Sequence, residues 1–82
     1  MAPVPPGALR DLLRQRGVTM QAAAVLAGRD VSTISRICSG ELRAQPVTIV
    51  TLAKALGVSA RRMKAMTDAA WSSAHSDEQV PA

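Results

Sequence analysis

Residues 17–40 read GVTMQAAAVLAGRDVSTISRICSG, and the order of capping, small and branched residues in this stretch decides the fold. Thr19 is a good N-cap, because its hydroxyl can accept from a free amide, and the helix it opens covers Met20 to Ala27. Gly28 ends that helix by tolerating the left-handed backbone a tight turn requires. Asp30 is the next cap, expected to offer its carboxylate to the first free amides of a helix from Val31 to about Ser39, which terminates at Gly40. Ile34 and Ile37, at i and i+3, give that helix an inward face and leave Val31, Ser32, Ser35 and Arg36 largely outside it. Its exposed side is therefore mostly uncharged. Close contact where the two helices cross demands small residues, and the demand falls on Ala24, Ala27 and Gly28.

Upstream, Met1 to Pro6 holds three prolines and cannot be helical, so residues 1–6 read as a flexible arm. A first helix runs from Ala8 to about Arg16, with Leu9, Leu12 and Leu13 on one face, Arg10, Arg14 and Gln15 off it, and Gly17 as its stop. Downstream, Glu41–Gln45 is polar and irregular. Pro46 suits the first turn of a fourth helix that reaches Leu56, with Ile49, Val50, Leu52, Ala53 and Leu56 apolar and Gly57 closing it. Ser59 caps a fifth helix extending to about Trp71, with Ala60, Met63 and Met66 or Thr67 inward and Arg61, Arg62 and Lys64 outward. Residues 72–82, SSAHSDEQVPA, show no periodicity and read as a disordered tail in which His75 is incidental. The folded domain is thus expected to span residues 7–71.

Eighty-two residues suffice for one domain. The composition is 48% hydrophobic with one Trp and no Phe or Tyr, so the core must be built from Ala, Leu, Val, Ile and Met. No segment alternates apolar and polar residues as a strand does, and the fold class is all-α, a compact bundle of five helices. Trp71 is expected to pack on a core so poor in large rings, the alternative being a dimer contact shared with Met63 and Met66.

All ten Lys and Arg residues and four of the six acidic ones precede Ser72, leaving +6 on the body and −2 on the tail. A basic body favours a polyanionic partner, nucleic acid or an anionic membrane surface. The membrane alternative is disfavoured because the basic residues are scattered over five short helices. Cys38 is the single cysteine, which excludes an internal disulfide, and no His stands at metal-ligand spacing from it. No metal or other cofactor is expected. No apolar run approaches the length that spans a bilayer, and a cytoplasmic protein is the expectation. No Ser, His and Asp set, carboxylate pair or phosphate-cradling glycine loop is present, so no catalytic residues are assigned and an enzyme is not expected.

Two short helices joined by a Gly-containing turn, the second polar on its outer face, have the form of a helix-turn-helix, in which the second helix enters the major groove of double-stranded DNA. Residues 17–40 resemble, without a gap, the helix-turn-helix of the Cro and phage-repressor-like family, also called the xenobiotic-response-element family. The resemblance continues through PVTIVTLAKALGVS, residues 46–59, and with the first helix covers roughly residues 8–67. Within it, the family's small residue falls on Ala24, its turn glycine on Gly28 and its buried branched residues on Ile34 and Ile37. It implies a lambda-repressor-like DNA-binding domain with Val31, Ser32, Ser35 and Arg36 facing base edges. Arg36 can donate twice to O6 and N7 of a guanine, the serines can donate or accept, and Val31 can touch a thymine methyl. Phosphate contacts are expected from Thr19, Gln21, Arg29, Thr33, Ser39 and Arg43, with Arg43 foremost.

The departures from that family are specific. Met20 stands where the family usually places a phosphate-binding Gln, with Gln21 one residue later. Arg29 replaces the customary hydrophobe of the turn. Val25 and Leu26 occupy positions the family usually leaves polar, so either the second helix is rotated or an apolar patch is open to a partner. A buried Arg and Glu that pair in many relatives fall on Leu13 and Cys38, both apolar, which makes Cys38 a core residue. The function implied is a repressor-like transcriptional regulator of prokaryotic or phage type that binds its operator as a homodimer. The alternative is an antitoxin-like or phage accessory protein that uses the fold to bind a partner protein.

Overall fold

Residues 4–75 are described by the computed structural model, and they form five α-helices with no strand among them. The helices are α1 (Ala8–Gln15), α2 (Met20–Ala27), α3 (Val31–Ser39), α4 (Pro46–Leu56) and α5 (Ala60–Ala74). Their starts follow local chemistry. The Thr19 hydroxyl accepts from the Ala22 amide at 3.0 Å, and the Ser59 hydroxyl accepts from the Arg62 amide at 3.1 Å. Each bond satisfies one of the orphan donors of a first turn. Pro46 opens α4, where its missing N–H is no loss.

Asp30 departs from expectation. Its backbone is extended, as an N-cap requires, but its carboxylate makes no hydrogen bond to the helix it precedes. The side chain is exposed, so water competes with the amides for its oxygens. The first backbone bond of α3 runs from the Ile34 amide to the Asp30 carbonyl, and the amides of Val31, Ser32 and Thr33 have no partner among the described residues.

α5 is the spine, packing against α1, α3 and α4, while α2 packs against α3 and α4. Into the space between them go Leu9, Leu12 and Leu13 of α1, Ala23 and Ala24 of α2, Ile34, Ile37 and Cys38 of α3, Leu52 and Leu56 of α4, and Met63 and Met66 of α5. With no aromatic ring available, the unbranched methionines fill the gaps between the aliphatic side chains. Their burial also removes Met63 and Met66 from any dimer contact. Trp71 is not part of this core either: it is half-buried beside the α3–α4 loop. α5 reaches Ala74, three residues beyond the expected end, so Ser72–Ala74 belong to the helix rather than to a tail. Residues 1–3 of the expected arm and 76–82 of the expected tail lie outside the described residues.

Arg16, which follows α1, donates from Nε to the carbonyl of Leu56 at 3.0 Å. That bond closes the C-terminus of α4 with a positive group, where the helix dipole favours one.

Of the small residues expected where α2 crosses α3, Ala24 is buried in the core and Ala27 packs against it, whereas Gly28 makes no close approach. At Gly28 a Cβ would meet nothing within 4 Å, so glycine is there for its backbone angle, φ +66°. At Gly40, with φ +85°, a Cβ would overlap the Ala70 carbonyl and lie 2.8 Å from the Ala74 Cβ. Among the glycines, Gly40 is therefore the one whose lack of a side chain lets the end of α3 approach the backbone of α5.

Candidate nucleic-acid interface

The surface of α3 is set by the two isoleucines. Because Ile34, Ile37 and Cys38 are buried, the opposite side of the helix presents Val31, Ser32, Arg36 and Ser39, with Ser35 half-buried at its edge. Four residues expected to face base edges are therefore brought together on two turns. The Arg36 guanidinium has no ion-pair partner among the described residues, so its five donors remain available. At the N-terminal end of this strip the unpaired amides of α3 add positive potential. The αL turn at Gly28 leaves Arg29 and Asp30 exposed beside that end.

The residues expected to hold phosphate separate into distinct situations. Thr19 and Gln21 are exposed at the start of α2, and the Thr19 oxygen caps the helix while its O–H proton stays free to donate. Ser39 is exposed, but its hydroxyl donates to the Arg36 carbonyl at 3.2 Å. Thr33 is half-buried and turns away from the exposed strip, into a cavity of about 230 Å³ lined also by Arg29, Ile37, Leu42, Arg43, Gln45 and Thr48. Arg29, which lines that cavity, donates to the Gln45 side chain at 2.7 Å. Arginine in place of a turn hydrophobe thus ties the turn to the start of α4 by a hydrogen bond instead of by packing.

Arg43 is engaged from α5. Its guanidinium lies 3.6 Å from the Asp68 carboxylate and 5.4 Å from the centre of the Trp71 ring. Asp68 also takes Lys64 at 2.8 Å, and the His75 ring stacks on Trp71 with centroids 3.7 Å apart. His75 therefore packs at the end of α5 and does not belong to a tail. Sequence reasoning missed this group because Arg43 and Trp71 are far apart in the chain and nothing in either neighbourhood marks the other. Only the Lys64–Asp68 spacing of four, one helical turn, was a legible signal.

Val25 and Leu26 are exposed at 81% and 48%, which decides between the two readings of α2: the helix buries Ala23 and Ala24 and presents an apolar patch. Cys38 lies in the core with its thiol pKa raised by burial, an effect opposed by the nearby Arg10 guanidinium through charge and a hydrogen bond. No helix among the described residues is long and apolar enough to cross a membrane. Neither the curated proteins nor the solved structures provide a match to the chain. A family model described as a helix-turn-helix domain matches residues 7–66, from the residue before α1 into the middle of α5.

Proposed function

The chain belongs to the helix-turn-helix domain family, and from that premise we propose that it is a sequence-specific DNA-binding transcriptional regulator. In this reading it is repressor-like, of prokaryotic or phage type, similar to the Cro and phage-repressor branch, and acts in the cytoplasm by occupying an operator, with no catalysis of its own. The observation that supports it is the surface of α3, where Val31, Ser32 and Arg36, the last without an ion-pair partner among the described residues, are exposed with Ser35 at their edge on a helix whose other side is locked in the core. Such a helix can lie in a major groove with Arg36 on a guanine and Val31 against a thymine methyl. One recognition helix touches only a few base pairs. A homodimer spanning half-sites about 34 Å apart supplies the rest of the specificity.

Fluorescence anisotropy tests this, using duplexes selected from a random pool and a scrambled duplex, at low and physiological salt. The selected duplex is expected to bind at least about a thousandfold more tightly at physiological salt, with Arg36→Ala removing about 1 to 3 kcal/mol of that preference. Equal binding of both duplexes, abolished by salt, would reduce the basic surface to a general electrostatic one.

The exposed Val25 and Leu26 favour a second reading, in which an antitoxin-like or phage accessory protein uses the fold to hold a partner protein. That reading calls for a tight protein complex that Leu26→Ser weakens, together with poor discrimination among duplexes.

A further inference from the structure

Arg43 follows the recognition helix, yet among the described residues both the ion pair and the ring contact of its guanidinium are with α5. The pair with Asp68 is loose at 3.6 Å, and both side chains are substantially exposed, at 62% and 39%. Asp68 is itself shared, its other oxygen accepting from Lys64 at 2.8 Å. An exposed, shared pair of this kind is weakly held, and a phosphate whose two nonbridging oxygens both accept from the guanidinium is a stronger partner than a carboxylate oxygen at 3.6 Å. Trp71 differs from Asp68 in that its ring attracts the cation without competing for its N–H donors. It is held in place by His75, which stacks on it and whose Nδ1 lies 2.9 Å from the Trp71 carbonyl. The last turns of α5 are fixed in turn against α3 by the contact of Gly40 with Ala70 and Ala74.

We propose that Asp68 and Trp71 are positioning residues for DNA binding: Asp68 holds Arg43 in a resting ion pair that a DNA phosphate displaces, while Trp71 keeps the guanidinium over the same spot in both states. This rests on the DNA-binding reading above and adds to it a restraint on affinity that is independent of base sequence. Asp68 lowers affinity for every duplex alike, because the phosphate must first take Arg43 from it.

Asp68→Asn is nearly isosteric and removes the competing charge. It is expected to tighten binding of the selected and the scrambled duplex by the same factor, about two- to fivefold at low salt, the worth of one exposed ion pair. Arg43→Ala is expected to weaken both duplexes and to lower the slope of log affinity against log salt by about one. In the Arg43→Ala background Asp68→Asn is expected to gain nothing, which separates loss of the specific pair from a mere rise in net charge. Trp71 is the chain's only Trp, and no Tyr is present, so intrinsic emission reports this site alone. Duplex is expected to shift that emission in the wild type and not in Arg43→Ala. A gain from Asp68→Asn that persists without Arg43, or wild-type emission unchanged at saturating duplex, would overturn the proposal while leaving DNA binding intact. Wild-type protein that binds no duplex would overturn both.

Discussion

At Gly40 two constraints meet that are separate elsewhere in the chain. Its backbone is left-handed, a conformation that disfavours any side chain, and its Cα lies so near α5 that a methyl group would overlap the Ala70 carbonyl. Gly28 has the first constraint without the second. Gly28→Ala is therefore expected to lower stability by only about 1 to 2 kcal/mol, the usual penalty of a Cβ in that conformation. Gly40→Ala adds overpacking against backbone that cannot yield, and its loss is expected to exceed that of Gly28→Ala by about 1 to 3 kcal/mol. Urea denaturation midpoints of the two variants, compared with the wild type, decide the matter. Equal midpoints would mean that α5 moves aside and that the α3–α5 contact is softer than its geometry implies.

The helices differ in how their ends are secured, and this has measurable consequences. Thr19 and Ser59 cap through their side chains, whereas Asp30 caps through its backbone alone. Thr19→Ala and Ser59→Ala are each expected to remove about 1 kcal/mol, lowering the melting temperature by about 4 to 8 °C in a domain of this size. Asp30→Ala removes only the attraction of a solvated charge for the helix dipole and is expected to shift it by less than either. Circular dichroism melts of the three variants test the order. In the DNA-binding reading proposed above, the open end of α3 would face the duplex, and amides that no side chain among the described residues satisfies are donors that a phosphate can use.

At the scale of the whole molecule, a core without aromatic residues relies on many modest aliphatic contacts, and Cys38 is one of its members. Burial raises the Cys38 pKa in the folded state above the ordinary thiol value of 9.0, so the native protein keeps its proton where the unfolded chain has begun to lose it. The stability tied to that proton is complete below about pH 9 and declines as pH rises through the folded pKa. Cys38→Ala is expected to be less stable at neutral pH, from the cavity it leaves, yet to lose less between pH 8.5 and about 10.5 than the wild type. Parallel alkaline slopes in the two proteins would show that the thiol is not shielded from water.

The five helices, the side-chain caps at Thr19 and Ser59 and the glycine stops were legible in the sequence because each depends on residues within one or two turns of one another, whereas the carboxylate cap expected at Asp30 is not made. So was the exposure of Val31, Ser32 and Arg36, with Ser35 half-buried beside them, since burial of Ile34 and Ile37 fixes it by helical period alone. The tertiary structure decided what depends on two distant segments meeting. It placed the close backbone approach at Gly40 and not at Gly28, and it left Val25 and Leu26 on the outside of α2. It also drew Trp71 out of the expected core to lie beside Arg43, and carried α5 on to Ala74. Local periodicity says which face of a helix turns inward. It carries no information about which residue of another helix waits there, because that choice is made by how five faces share one interior.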